Sequence, residues 1–196
     1  SAETIKYAAN AFLATKLSFA NAIAALCEHV GANIDDVMEG IGQDKRIGNL
    51  FLKPGPGWGG SCFPKDTRAL VKIAESAGYD FELLRGVIDF NEIQFDRIVN
   101  KVRKAVGGTL TGKNIAVLGL TFKAHTNDLR DSPALRIIDQ LMLQGATINA
   151  YDPTVTKALP QTIFCETAID ACISTDAILI ATEWPEFALL NPTKIG

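Results

Sequence analysis

The fold class of this chain is decided by residues 114–120, which read Asn-Ile-Ala-Val-Leu-Gly-Leu. A short apolar run of this kind, ended by glycine, is typical of a parallel strand that is buried on both faces. The run follows the glycine- and threonine-rich segment 106–112, which breaks the helical pattern before it. We therefore interpret 106–112 as a domain boundary.

The pattern after this strand alternates between helix and strand. The expected elements are a loop over 121–131, a helix capped by Ser132 with Pro133 at its first position and ending near 144, a strand over 146–151, a weaker helix over 166–173 and a strand over 177–181. Strands and helices that alternate at this spacing predict a doubly wound parallel sheet. The sequence therefore predicts a Rossmann-like α/β domain over 113–196.

The pattern before the boundary is helical and predicts an all-α domain over 1–105. Apolar residues recur with helical period in four segments, 2–30, 34–41, 64–77 and 80–105. Asn33 and Asp35 are both candidates for the N-cap of the second helix. The first helix is apolar on more than one face, so we expect burial on several sides, with a partner subunit covering one of them.

One cysteine stands in a glycine-rich turn that opens the third of these helices. Residues 59–66 read Gly-Gly-Ser-Cys-Phe-Pro-Lys-Asp, and Pro64 suits the first helical position. A sulfur at a helix N-terminus, next to the cation of Lys65, favours the thiolate form. Asp66 follows one helical turn after Cys62, which suits covalent catalysis at a carbonyl carbon. On spacing alone, a buried and inert cysteine is equally well supported.

Two further stretches carry polar groups of interest in the helical domain. Lys6 and Asn10 are four residues apart and share one helix face, where they could form an oxyanion-binding pair or simply lie at the surface. The loop 51–58 is rich in glycine and proline and contains Lys53. Such a loop can read a nucleotide base through main-chain groups, or it can be a plain connector.

The first strand–helix loop of the predicted sheet is the other candidate site. It lacks the pattern G-x-G-x-x-G, because only Gly119 is present, and it is therefore a poor dinucleotide fingerprint. Lys123 and Arg130 are plausible phosphate partners, although a solvated surface loop has the same composition. Asp152 at the end of the second strand fits a turn better than a ribose ligand.

Composition narrows the class of function. The 196 residues are 47% hydrophobic and 21% charged with a net charge of −3, which argues against a nucleic-acid or anionic-membrane surface. The opening residues do not resemble a signal peptide. Four cysteines without a metal-binding spacing indicate reduced thiols, a cytoplasmic location and no metal site. Of these, Cys27 and Cys172 fit buried positions.

Four segments taken together resemble the UDP-glucose/GDP-mannose dehydrogenase family over essentially the whole chain. They are Lys-Tyr-Ala-Ala-Asn-Ala-Phe-Leu-Ala-Thr-Lys at 6–16, Gln-Asp-Lys-Arg-Ile-Gly at 43–48, Phe-Leu-Lys-Pro-Gly-Pro-Gly-Trp-Gly-Gly-Ser-Cys-Phe-Pro-Lys-Asp at 51–66, and Gly-Leu-Thr-Phe-Lys at 119–123 with Asp-Leu-Arg-Asp-Ser at 128–132. Within this family, Gly-Ser-Cys-Phe-Pro-Lys-Asp resembles the UDP-glucose enzymes most closely. Enzymes that act on UDP-N-acetylmannosamine or GDP-mannose remain the alternatives.

The resemblance implies a four-electron oxidation that converts the C6 alcohol of a nucleotide sugar into a carboxylate. Cys62 is implied to capture the C6 aldehyde as a thiohemiacetal that is oxidised to a thioester, and Asp66 to activate the hydrolytic water. Lys6 and Asn10 are implied to stabilise the oxyanion, with Lys6 also a candidate base for the first oxidation. The implied substrate-binding residues are Arg46, Phe51, Leu52, Lys53, Gly55, Gly57, Gly59, Phe122 and Lys123. Lys65 and Arg130 are implied to approach the NAD phosphates.

The resemblance also implies NAD as cofactor and a homodimer formed through helix 2–30, in which Arg46 reaches the partner's site. The NAD-binding domain of the family normally precedes the region where this chain starts, and we expect the UDP-sugar domain to be incomplete at its end. We therefore expect these residues alone to be inactive. A UDP-sugar-binding or dimerising module without chemistry is the alternative from a different class.

Overall fold

Helices occupy the first half of the chain, as the apolar periodicity predicts. In the computed structural model, which describes residues 2–157 and 159–191, they are α1 (Ala2–Val30), α2 (Ile34–Gly42), α3 (Phe63–Ser76) and α4 (Glu82–Ala105). Asn33 is the N-cap of α2, because its side-chain oxygen accepts a hydrogen bond from the Asp35 amide at 2.9 Å. By packing, the chain divides into two units, Ser1–Gln94 and Phe95–Gly196.

The first unit is built around α1, which packs on α3 and α2. Its cores are formed by apolar side chains of the helices together with Leu52 and Trp58 from the loop between α2 and α3. Within this unit α1 buries one face rather than several. Ile5 and Phe12, two apolar positions of the predicted helix, are 69% and 66% exposed, because no other described element of this chain covers them.

One property of α1 extends beyond packing. Among the described residues it is the one helix long and apolar enough to cross a membrane, judged by length and composition alone. A third of its most apolar window is buried inside the protein. The core helix of a globular protein meets the same criterion, so this finding is weak evidence for a membrane span.

The second unit contains the predicted parallel sheet. Its elements are β1 (Asn114–Leu118), α5 (Pro133–Leu143), β2 (Thr147–Tyr151), β3 (Ile163–Phe164), α6 (Ala168–Cys172), β4 (Ala177–Ile180) and a 3₁₀ helix (Pro185–Leu189). The strand order is β3-β2-β1-β4, and every pairing is parallel. The predicted mixed α/β class with a parallel sheet is confirmed.

The two faces of β1 explain why this strand is a continuous apolar run. Ile115 and Val117 pack into the larger cluster with α5, whereas Ala116 and Leu118 pack into a second cluster with α6 and the 3₁₀ helix. All four side chains are fully buried. Burial on both faces removes the alternation of polar and apolar residues that a half-exposed strand would show.

Two details of the helix starts differ from the predictions. Pro64 is the second residue of α3 rather than the first, because the helix begins at Phe63 and Cys62 is its N-cap. Ser132 precedes α5 but makes no side-chain capping bond. Its hydroxyl donates instead to the carbonyl of Leu120 at 2.7 Å, which ties the loop after β1 to the start of α5.

Two short elements have no counterpart in the predictions. β3 has two residues, which is too short for any periodicity, and its position depends on pairing with β2. The 3₁₀ helix starts at Pro185 and buries Phe187 against the face of the sheet that carries α6. Both elements depend on tertiary contacts rather than on local pattern.

Candidate active site

Cys62 lies at the N-terminus of α3, as predicted. Its backbone has φ −99° and ψ −60°, and its carbonyl accepts the hydrogen bond from the Asp66 amide at 2.8 Å. The side chain is exposed, and its sulfur lies 3.8 Å from the Ser61 hydroxyl. Lys65, in the first turn of α3, is exposed as well. Of the two interpretations from sequence, the buried cysteine is therefore wrong, and the thiol is accessible at a helix end.

Asp66 is fully buried, and its partners come from α1. The side chain is 1% exposed, and its Oδ2 accepts a hydrogen bond from Asn10 Nδ2 at 2.6 Å. The ammonium group of Lys6 lies 3.4 Å from the same oxygen, and the Lys6 side chain is 58% exposed. Lys6 and Asn10 are one turn apart on α1, so the shared helix face inferred from their spacing is real. What the spacing did not reveal is that both groups face the carboxylate of Asp66.

The second oxygen of this carboxylate is in a different environment. Among the described residues, Asp66 Oδ1 has no hydrogen-bond partner although it is buried. An unpartnered buried acceptor is unfavourable, and a donor such as a water molecule or a substrate hydroxyl would relieve the cost. The geometry therefore gives Asp66 one oxygen held by a cation and an amide, and one that can accept a proton or a hydrogen bond.

Tyr7 is a neighbour of this cluster and is not among the site residues predicted from the sequence. Its hydroxyl donates to Glu3 Oε1 at 2.6 Å, and Lys6 Nζ lies 5.8 Å from the centroid of its ring. The hydrogen bond to Glu3 raises the pKa of Tyr7, with smaller contributions from burial and from the negative charges of Glu3 and Asp66. The tyrosine therefore stays neutral at physiological pH.

The loop before Cys62 is partly buried and has unusual backbone angles. Phe51 has φ +61°, a left-handed conformation that is costly for a bulky residue, and its ring lies 6.3 Å from that of Phe63. Leu52 is buried, while Lys53 is exposed. Gly57 has φ +126°.

The rest of this loop is anchored. Gly59 is buried, and Gly55, although exposed, is tied to α1 by a hydrogen bond from its amide to Asn21. Four buried polar side chains hold the loop in all, and none of them is among the site residues predicted from the sequence: Ser18, Asn21, Asn91 and Gln94. A usable signal exists, because each helix carries its two polar residues three positions apart on an otherwise apolar face.

A shallow cavity lies beside this loop. It has a volume of about 320 Å³ and is lined by residues of α2 and of the loop, namely Asp35, Met38, Glu39, Gln43, Asn49, Leu52, Lys53 and Pro54. This lining contains one cation, Lys53, and two carboxylates, Asp35 and Glu39. The cavity therefore does not carry an excess of positive charge.

Arg46 is held by its own loop. Its backbone amide, Nε and Nη2 all donate to the carboxylate of Asp44, at 2.5 to 3.2 Å. These bonds lower the pKa of Asp44 and raise that of Arg46. The loop is tied to α1 through Lys16, which donates to the carbonyl of Ile47 at 2.9 Å. Arg46 is 89% exposed, so its guanidinium is directed by Asp44 but accessible.

The second unit places the other predicted residues in the loop after β1. Phe122 is half-buried, and the ammonium of Lys123 lies 5.4 Å from the centroid of its ring. Arg130 donates its amide and Nε to Asp128 Oδ1 at 3.0 and 2.9 Å, and its Nη2 to Oδ2 at 2.8 Å. These bonds lower the pKa of Asp128 to about 2.

Asp152 has a structural role at the end of β2. It is 2% exposed, and its carboxylate accepts hydrogen bonds from the amides of Leu120 and Thr154 at 2.7 and 2.9 Å. The bond to Thr154 closes the turn that the sequence favoured. Because Asp152 faces inward to main-chain donors, it holds the loop after β1 in place.

Two family models match the chain. The central domain of the UDP-glucose/GDP-mannose dehydrogenase family matches residues 1–93, and the UDP-binding domain of the same family matches residues 116–196. These domains define a class of oxidoreductases, and the chain belongs to the UDP-glucose/GDP-mannose dehydrogenase family.

Individual relatives within the family are similar over the whole chain. UDP-glucose 6-dehydrogenase TuaD of Bacillus subtilis is 52% identical over 100% of this chain and 43% of its own length. The UDP-glucose 6-dehydrogenase of Rickettsia conorii is 46% identical over 98% of this chain and 46% of its own length. The chain therefore spans less than half the length of these relatives.

Solved structures share the fold. A UDP-glucose dehydrogenase from Pyrobaculum islandicum superposes with a TM-score of 0.91 at 34% identity, over 96% of this chain and 44% of that one. A UDP-D-ManNAc dehydrogenase from Pyrococcus horikoshii superposes with a TM-score of 0.85 at 30% identity, over 98% and 44%.

Proposed function

We propose that the chain is the central and UDP-binding part of an NAD-dependent UDP-glucose 6-dehydrogenase, which oxidises UDP-glucose to UDP-glucuronate. The observation that carries the proposal is the accessible thiol of Cys62, one helical turn from the buried carboxylate of Asp66. A protein that only binds nucleotide sugars has no chemical use for this pair. The similarity to enzymes named UDP-glucose 6-dehydrogenase supports the choice of substrate.

The proposed reaction removes two hydrides from the C6 carbon of the sugar. The alcohol is oxidised to an aldehyde, and the Cys62 thiolate adds to the aldehyde carbon to form a thiohemiacetal. Oxidation of the thiohemiacetal gives a thioester, and water then cleaves the C–S bond and restores the thiol. In sum, UDP-glucose, two NAD⁺ and one water give UDP-glucuronate, two NADH and three protons.

The cluster around Asp66 supplies the polar groups for this sequence. Lys6 is positioned to stabilise a developing oxyanion or to take the alcohol proton, and Asn10 donates a hydrogen bond beside it. Asp66 Oδ1, which has no hydrogen-bond partner among the described residues, can orient the hydrolytic water. Lys6 and Asn10 both contact Oδ2, so they hold the carboxylate of Asp66 in one orientation.

NAD, when bound, accepts the two hydrides. Two cations of this chain suit its phosphates, Lys65 in the first turn of α3 and Arg130 in the loop after β1. Arg130 is supported by Asp128 in a fixed orientation, which suits recognition of a phosphate by a planar guanidinium. We assign the remainder of the NAD site to a part of the enzyme outside these residues.

Each unit contains residues that we propose as contacts of the UDP-sugar. In the first unit, the binding residues are Phe51, Leu52, Lys53, Gly55, Gly57 and Gly59 of the loop before Cys62. In the second unit they are Phe122 and Lys123. The left-handed Phe51 supports this assignment, because backbone strain of this kind is concentrated at functional sites.

A homodimer through α1 completes the proposal. Four large apolar residues of α1 are spaced by seven and are 52–69% exposed, namely Ile5, Phe12, Phe19 and Leu26. A stripe with this repeat is self-complementary when two copies of the helix pack together. In such a dimer, the exposed Arg46 is proposed to contribute to the partner's substrate site. We also propose that the enzyme is cytoplasmic.

A related nucleotide sugar is the second candidate for the substrate. The similarity to a UDP-D-ManNAc dehydrogenase supports it, because that structure shares the fold at 30% identity. The higher identity to UDP-glucose enzymes favours UDP-glucose. Comparing kcat/KM for UDP-glucose, UDP-N-acetylmannosamine and GDP-mannose in the full-length enzyme distinguishes the three.

The experiment that tests the proposed function uses the full-length enzyme and its Cys62→Ser variant. The wild-type enzyme is expected to form two NADH for each UDP-glucuronate. Cys62→Ser is expected to lose net UDP-glucuronate production, because a serine hydroxyl is a far weaker nucleophile toward the aldehyde without a base beside it. Normal UDP-glucuronate production by this variant would refute the role of Cys62.

A further inference from the structure

Four buried polar side chains hold the loop between α2 and α3. Ser18 and Asn21 lie on α1, Asn91 and Gln94 lie on α4, and each is between 3% and 6% exposed. Polar groups this deeply buried need hydrogen-bond partners. Each of them bonds to a group of the loop, and Ser18 also donates to the carbonyl of Val87 on α4 at 3.5 Å. Two helices therefore contribute side chains to a segment that has no regular structure of its own.

The contacts concentrate on two residues of the loop. The amide of Gly55 donates to Asn21 Oδ1 at 2.8 Å, and its carbonyl accepts from Gln94 Nε2 at 2.8 Å. The amide of Trp58 donates to Asn91 Oδ1 at 2.8 Å, and its carbonyl accepts from Asn91 Nδ2 at 2.9 Å. Both residues therefore have both main-chain groups bonded to side chains, as a paired strand would bond them.

Trp58 connects these hydrogen bonds to the start of α3. Its indole Nε1 donates to Ser18 Oγ at 2.9 Å, and its ring is buried in the core of the first unit. The same ring lies edge-on to Phe63, the first residue of α3, with centroids 6.4 Å apart. Trp58 therefore links the loop by direct contacts to the N-terminus of α3, where Cys62 lies.

We propose that Asn91 and Gln94 are positioning residues of the nucleotide-sugar site. In this role they act through the main chain of Trp58 and Gly55, to which their side chains are hydrogen-bonded. Without these bonds, a loop rich in glycine would sample many conformations. The entropy lost on ordering it would then weaken substrate binding. The inference rests on the proposed function, in which this loop binds the UDP-sugar.

Gln94 offers a test that separates positioning from folding. Its Oε1 is buried and has no hydrogen-bond partner among the described residues. Gln94→Met keeps the length of the side chain and removes both the bond to Gly55 and this unpartnered acceptor. Because the two losses oppose each other in stability, we expect the variant to fold as the wild type does. The loop still loses one of its anchors.

The experiment compares Gln94→Met with Gln140→Met in the full-length enzyme. Gln140 lies on α5 in the second unit and undergoes the same chemical change. Gln94→Met is expected to raise KM for UDP-glucose about 3- to 10-fold, the effect of one lost hydrogen bond. We expect its kcat, KM for NAD and melting temperature to stay at wild-type values, and Gln140→Met to change none of these quantities.

Asn91→Leu is the harsher variant, because it leaves both main-chain groups of Trp58 buried without partners. If it folds, its KM for UDP-glucose should exceed that of Gln94→Met. If it does not fold, the KM of Gln94→Met alone tests the inference. An unchanged KM in Gln94→Met overturns the inference, and so does a loss of kcat together with melting temperature. If the wild-type enzyme does not oxidise UDP-glucose, the proposed function fails first, and the inference fails with it.

Discussion

The two carboxylate oxygens of Asp66 have different surroundings and different roles. Its Oδ2 is held by Asn10 and Lys6, whereas its Oδ1 has no partner among the described residues. A carboxylate held on one side only keeps its orientation and still has an acceptor to offer. The side chain of Lys6 is more than half exposed, so its interaction with Asp66 is partly screened by solvent. The amide of Asn10 supplies the more directional contact.

Gly119 is a residue whose identity is required by space as well as by backbone angle. It has φ +86°, and a Cβ at this position would lie 2.5 Å from the Cβ of Thr182. We expect Gly119→Ala to lower the free energy of unfolding by more than the roughly 1–3 kcal/mol of a strained backbone alone. Chemical denaturation measures the loss.

Gly112→Ala is the matched control. Gly112 has φ +74°, and a Cβ there would meet nothing within 4 Å. The control therefore carries the backbone strain without the clash. Equal losses of stability in the two variants would show that the contact with Thr182 does not restrict this position.

The pair of Asp128 and Arg130 gives a prediction about pH. The hydrogen bonds from Arg130 lower the pKa of Asp128 from 3.8 to about 2. A carboxylate with a lowered folded-state pKa stabilises the protein above its unfolded pKa, and this contribution is lost as the pH falls from about 4 to about 2. We expect the Asp128 carboxyl carbon to titrate near pH 2 by NMR. In Arg130→Gln the midpoint should return toward 3.8, and a midpoint near 3.8 in the wild type would contradict the pairing.

At the scale of elements, α1 has two apolar faces with different roles. One face packs on α3 through small residues such as Ala11 and Ala14, which allow close approach. The other carries the stripe of Ile5, Phe12, Phe19 and Leu26, each of which is more than half exposed. Large exposed apolar stripes of this kind mark interaction surfaces.

The stripe leads to a prediction about assembly. We expect the wild-type protein to be a dimer by light scattering at micromolar concentration, and the double variant Phe12→Glu, Phe19→Glu to be a monomer, because two charges would be buried in the interface. Ile73→Glu, on the exposed side of α3, is the control and should remain a dimer. A monomeric wild type, or one that partitions into membranes, would contradict the proposed interface.

The elements show where sequence patterns are informative and where they are not. α1 and β1 could be predicted because long periodic runs and fully buried strands leave a local signature. The hydrogen bond made by the Ser132 hydroxyl could not be predicted, because its partner, the carbonyl of Leu120, lies twelve residues away. β3 has two residues, and its pairing with Ala150 and Asn149 is likewise non-local.

At the scale of the molecule, the candidate site could be predicted in its parts but not in its connections. The glycine-rich turn, the cysteine and the carboxylate one turn later are local features. The contact of Asn10 with Asp66 spans 56 residues, and the bond from Gln94 to Gly55 spans 39. Pairings at such distances follow from the packing of helices, which no local pattern encodes.

The chain spans less than half the length of its relatives, and this leads to a prediction about activity. We expect these 196 residues alone to form no NADH from UDP-glucose and NAD, because the residues assigned to NAD are two exposed cations. The full-length enzyme, assayed in parallel, is the control. Turnover by these residues alone would show that the chain carries a complete NAD site.

Cys62 is expected to form a covalent bond to the sugar during the reaction. Intact-protein and peptide mass spectrometry of full-length Asp66→Asn, mixed with UDP-glucose and NAD, tests it directly. Because this variant is expected to oxidise the sugar but to hydrolyse the thioester slowly, we predict a UDP-glucuronyl adduct on Cys62. Oxidation of UDP-glucose with no adduct, or with an adduct on another residue, would contradict the account.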